Sequence, residues 1–132
     1  MRFKTAAAMS ALATLIATGA SAHHSSAMFD RSKIVTLDGV IKEFQFVAPH
    51  SWLIIEAKGP KGKSVEWDLE GASAPELRRV GATPDVLKPG AKIKVRMHPL
   101  HDGRKGGALI DMTLADGKVI TNNVTRAPQG VL

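Results

Sequence analysis

The chain reads as an all-β domain with one short helix, arranged as a small five-stranded barrel of the OB type. Three observations carry that reading. Apolar and polar residues alternate in separated runs that begin near Val35, Trp52, Val65, Ile93 and Ala108. A single capped helix is written between the third run and the fourth. None of the 132 residues is cysteine, so a hydrophobic core rather than disulfides must hold the domain. A small two-layer β-sandwich is the alternative, although it calls for about seven strands.

A leader precedes these elements. Arg2 and Lys4 stand before an apolar or small stretch from Thr5 to Gly19, and Ala20-Ser21-Ala22 closes it in the small-x-small pattern of signal peptidase sites. The apolar run is shorter than the roughly 20 residues that a membrane-spanning helix needs. Residues 1–22 are therefore expected to be a cleavable signal peptide. Residues 23–33 form an extended N-terminal arm, 34–121 the barrel and 122–132 a flexible tail. The expected location is the periplasm, with no membrane span after cleavage.

The first strand starts at Ile34 and alternates Val35, Leu37 and Ile41 with Thr36, Asp38 and Lys42. Gly39 interrupts the pattern and marks an expected bulge. Phe44, Phe46 and Val47 carry the strand on to Pro49, which cannot donate to a ladder. The second strand runs from Trp52 to Ala57 and ends at the turn Gly59-Pro60-Lys61-Gly62. In the third, Val65, Trp67 and Leu69 face the core, while Glu66, Asp68 and Glu70 read as a solvated face. Ser73, Pro75, Glu76, Arg78, Arg79 and Gly81 are cap, first-turn and last-turn residues of a helix over 74–81. A single turn follows at 83–87. Leu87-Lys88-Pro89-Gly90 then turns into a fourth strand, whose Lys92, Lys94 and Arg96 make a second solvated stripe. Residues 98–107 form a glycine-rich loop, and a fifth strand, 108–114, turns at Asp116-Gly117 into a short partner, 118–121.

Composition excludes several functions. The formal net charge is +6, of which the leader holds Arg2 and Lys4. The remaining charges are interspersed, which reads as a solubility feature and not as a nucleic-acid surface. Without cysteine there is no thiol nucleophile, redox pair, covalent haem attachment or lipoprotein anchor. No nucleophile elbow, phosphate loop or dinucleotide fingerprint occurs.

The five histidines lie in the mature chain, outside the strand interiors. His50 sits between the first and second strands; His98 ends the fourth and His101 follows it. In an OB barrel those two loops flank one ligand-binding face, so topology should bring His50, His98 and His101 together. Neutral imidazole is a common ligand of copper and zinc, and Asp102 could add an oxygen. If cleavage follows Ala22, the amine and ring of His23 can chelate one ion together, with His24 auxiliary. The arm could span roughly 35 Å, enough to reach the loops. Each histidine also has a plain structural reading, because imidazole nitrogens often bond loop carbonyls. Trp52, beside the His50 loop, is a candidate stacking platform for a ligand.

Taken together, the segments Ala22-His23-His24-Ser25, Ala27-Met28-Phe29-Asp30, Pro49-His50-Ser51-Trp52, Leu87-Lys88-Pro89-Gly90 and His98-Pro99-Leu100 before Asp102-Gly103 and Gly106-Gly107 resemble a known family. It is a family of small exported proteins of Gram-negative bacteria, classed as a domain of unknown function. The resemblance covers nearly all of the mature chain. It implies a periplasmic location and supplies no activity. In typical members an arginine often stands where His101 does, and an asparagine where Ala48 does.

The expected function is accordingly binding, not turnover. One form is a periplasmic module that holds copper or zinc through His23, His50 and His98, with His24 and His101 auxiliary. The other is a metal-free module that takes a protein, glycan or small ligand on the loop face with Trp52. A hydrolase using metal-bound water ranks third, since it needs an open coordination position and a general base, and only Asp102 lies near the loops.

Overall fold

A computed structural model describes residues 26–122. The expected signal peptide, His23, His24 and the residues beyond Asn122 lie outside the described residues. The elements are β1 (Val35–Gln45), β2 (Trp52–Lys58), β3 (Ser64–Glu70), α1 (Ala74–Arg79), β4 (Lys92–Pro99), β5 (Gly106–Leu114) and β6 (Val119–Thr121), with 3-10 turns at Ser26–Met28 and Pro60–Gly62. The strand order is β3-β2-β1-β4-β5-β6, and an additional β3–β5 pairing closes the first five into a barrel. All ladders are antiparallel except β3–β5, which is parallel. This is the predicted OB-type architecture with one extra strand; the sandwich alternative falls away.

The long first strand serves both sides of the barrel. Residues 35–40 pair with β4 and residues 39–45 with β2, so the strand must curl sharply. The bulge that permits this lies at Lys42, where the register with β2 shifts between Ile41 and Glu43, and not at Gly39 as expected. Gly39 is the crossover point instead, paired with Ala57 on one side and Ile93 on the other. A Cβ there would stand 2.7 Å from the Glu56 carbonyl oxygen, so close strand approach explains the glycine.

Two further boundaries differ from the sequence reading. β1 stops at Gln45, because the Val47 polar groups are taken elsewhere. Ser51 Oγ donates to the Val47 carbonyl at 3.0 Å, the Val47 amide donates to that same Oγ at 3.3 Å, and the Ala74 amide donates to the Val47 carbonyl. β5 begins at Gly106, two residues earlier than expected. Gly106 and Gly107 pair with Asp68 and Leu69, where Cβ atoms would lie 2.9 Å from the Asp68 oxygen and 2.4 Å from the His98 oxygen. These glycines close the barrel. They are not loop.

Inward positions of every strand fill the core: Ile41, Leu53, Ile55, Leu69, Ile93, Val95, Met97, Leu109, Met112 and Ile120 are buried, with Trp67 packed against them. Leu77 of α1, Ala82 and Leu87 join that cluster. The helix starts as its sequence demands, with the Ser73 amide and Oγ both donating to the Glu76 carboxylate at 3.0 and 2.7 Å. Those bonds hold the Glu76 carboxyl below its ordinary range, with smaller help from Arg79 and His50. No helix among the described residues is long and apolar enough to cross a membrane.

Candidate functional site

The β-ladders place one row of residues across four strands. Trp52 pairs with Glu70, Glu70 with Ala108, and Ala108 with His98. At about 4.8 Å per strand spacing, the backbones of Glu70 and His98 stand roughly 10 Å apart. The β1–β2 and β4–β5 loops therefore open at one pole of the barrel, as the topology predicted. His50 and His98 share that pole.

Each ring is oriented by a different device. His50 lies between Pro49 and Ser51; the buried Ser51 anchors the loop through its amide to Ala72 and its carbonyl to Gly71. The ring is half exposed, with Nδ1 3.3 Å from Glu70 Oε1, and the Glu70 side chain is only 10 % exposed. His98 holds its ring by a 2.8 Å hydrogen bond between Nδ1 and the Lys33 carbonyl oxygen. A carbonyl only accepts, so Nδ1 carries the proton and Nε2 keeps its lone pair. A carboxylate facing His50 Nδ1 favours the same tautomer.

Sequence patterning missed what sets up Lys33. The Asp30 carboxylate accepts from the Ser32 amide at 3.1 Å and from Ser32 Oγ, and pairs with Lys33 Nζ at 3.0 Å. Those contacts pull the Asp30 carboxyl down from 3.8 to about 2. The Asp-x-Ser spacing is a turn signal, and it could have been read. Residues 28–33 of the arm are accordingly docked on the barrel. Phe29 bridges to Leu100 and is buried, the Asp30 amide donates to the Pro99 carbonyl, and the His101 amide donates to the Met28 carbonyl.

The other predicted residues divide. His101 is exposed, and its backbone amide rather than its ring makes the contact to the arm. Asp102 turns back on its own loop, accepting from the Arg104 amide at 3.0 Å and from Arg104 Nε at 2.7 Å. Both bonds lower its carboxyl from the ordinary value. Among the described residues no three His, Asp or Glu side chains converge as metal ligands. Asp102 thus staples its own loop.

What the pole does contain is a cleft of about 210 Å³ between the docked arm, β2–β3 and the β4–β5 loop. Met28, Phe29, Trp52 and Leu100 supply its apolar lining; Asp68, Glu70, Arg104 and Lys105 supply charge. Trp52 thus lines the cleft. Glu70 and Asp68 were read as solvated, a reading that fails for Glu70, whose side chain lies in the cleft against the His50 ring. A shallower depression continues past Trp52 and Asp68 over Lys42, Gln45, Ile54 and Glu66.

A closed OB-type barrel with a loop-pole cleft defines the class. Residues 11–109 match the model of DUF6152, a family of unknown function, and the chain belongs to that family. No curated protein and no solved structure matches it.

Proposed function

We propose that the protein is a periplasmic binding module that holds a small ligand in the loop-pole cleft, without turning it over. The carrying observation is the cleft itself, walled on one side by a docked arm that bridges Phe29 to Leu100. Its mix of aromatic and apolar lining with a few charged groups is the usual make-up of a ligand site. A fragment screen read by backbone amide shifts tests this. Hits should cluster at residues 28–29, 52, 68–70 and 100–107, survive chelator and vanish in Trp52→Ala. Hits confined to the opposite pole would overturn the reading. Delivery by the leader predicts a mature N-terminus at His23 in the periplasmic fraction; an intact leader on cytoplasmic protein would refute it.

A second reading, copper or zinc bound through the histidines, is favoured by one observation. Nδ1 of both His50 and His98 faces an oxygen acceptor, which leaves Nε2 of each as the donor to a metal. His23 would complete the set through its free amine. Equilibrium dialysis of the processed protein against Cu(II) and Zn(II) should then give one stoichiometric site, lost in His50→Ala. Binding no tighter than that of an unrelated histidine-containing control would end it.

A further inference from the structure

We infer that the cleft takes an organic ammonium group, a primary amine on a short apolar chain, between the carboxylates of Asp68 and Glu70 and the ring of Trp52. This rests on the cleft being the ligand site. Two acids and two bases line it, but they are not equivalent. Arg104 is already engaged, its Nε donating to Asp102 at 2.7 Å. Lys105 is engaged as well, with Nζ 5.1 Å from the centre of the Trp67 ring. Among the described residues the Asp68 carboxylate has no hydrogen bond or ion pair. The Glu70 side chain is nine-tenths buried and faces one imidazole.

A carboxylate withdrawn from water needs a cation or strong donors to offset its lost hydration. The cleft presents one such group, Glu70, beside the exposed and unpaired Asp68 carboxylate, and both cations that line it are engaged, so a positively charged guest restores the balance. Positions 68 and 70 lie on one face of β3, about 7 Å apart, and Trp52 stands opposite Glu70 in the ladder. An indole face next to carboxylates suits an ammonium group, which gains from both. Met28, Phe29 and Leu100 provide a dry wall for the attached chain. That wall, and the absence of three convergent ligands among the described residues, favour an organic cation over a metal ion in this cleft. A volume of about 210 Å³ is below that of drug-sized sites, which fits a guest the size of one lysine side chain.

The test uses the mature chain at pH 8, where imidazole is neutral, with four probes: pentylamine, 1,5-diaminopentane, pentanol and pentanoate. Amide shifts at residues 52, 68–70 and 100–107 should titrate with both amines, and at least tenfold more weakly with pentanol and pentanoate. Glu70→Gln should weaken amine binding about tenfold. Asp68→Asn, at an exposed position that leaves the fold intact, should weaken it about fivefold. Pentanoate or pentanol binding as tightly as the amines overturns the ammonium assignment while leaving the cleft reading standing. Undiminished amine binding in both variants also overturns it. Silence of the cleft amides toward every probe overturns the inference, and the fragment screen then decides the cleft reading separately.

Discussion

The outward faces of β3 and β4 carry mirror-image patterns, acid at every second residue on one and base at every second residue on the other. On β4 two of the three charges are answered by neighbouring strands. Lys94 Nζ lies 3.7 Å from Asp38 on β1, and Arg96 pairs through two nitrogens with Asp111 on β5. On β3 Glu66 is answered, by Lys42. Beside Asp68 and Glu70 the partner strand offers Gly106, Gly107 and Ala108, none of which has a polar side chain. The glycines that let the barrel close thus also leave Asp68 without a cross-strand partner and Glu70 with the His50 ring alone. A fold requirement creates the chemistry of the cleft.

Four changes would break or sharpen that contrast. The largest effect belongs to the inward residue between Asp68 and Glu70. Leu69 is fully buried, and Leu69→Ala should lower stability by about 2–5 kcal/mol, whereas Asp68→Asn should stay within about 0.5 kcal/mol. Urea unfolding of the two variants checks the pair. Equal losses would mean that β3 has no distinct faces. Next comes the answered stripe: Asp111, buried on β5, leaves Arg96 unpaired when changed to alanine. Asp111→Ala should depress the thermal midpoint by several degrees, and Asp38→Ala, whose partner contact is exposed, should barely move it.

The smaller effects are acid-dependent. Glu76 has its folded pKa lowered from 4.5, chiefly by Ser73. Its contribution is therefore present above the unfolded value and lost as pH falls through the folded one. Glu76→Gln should flatten the stability profile below about pH 4.5, measured by urea midpoints at successive pH. The least effect is local. Asp30 titrates at about 2 when folded against 3.8 unfolded, so the arm turn keeps its support down to pH 3.8 and loses it toward pH 2. Amide exchange at Lys33 and His101 should accelerate across that window, and Asp30→Asn should bring the faster exchange to neutral pH. Exchange unchanged by the substitution would detach Asp30 from the docking of the arm.

Much of the architecture was legible because its signals are local. Alternation in β2, β3 and β4, the Ser73–Glu76 cap and the turns at Gly59–Gly62 and Asp116–Gly117 each act within a few residues. The placement of the two loops at one pole was legible too, since OB connectivity forces it. The bulge was misplaced because a glycine in a strand can mean a bulge or a close crossing. Only the partner strands distinguish the two. The partner of Asp102 was hidden for a related reason: its own loop residue Arg104 bonds it, a choice made by loop conformation. Glu70 looked solvated because alternation tells which side of a strand a residue faces, not what covers that side.

By itself the sequence determined the class of fold, the core, the capped helix and the pole that the His50 and His98 loops share, because periodicity, capping and turn chemistry act over short stretches of chain. Tertiary structure alone decided that the arm docks on the β4–β5 loop, that Lys33 orients His98, and that Glu70 is buried beside Trp52. Those outcomes depend on parallel pairing between β3 and β5, a contact spanning more than thirty residues that no local pattern encodes.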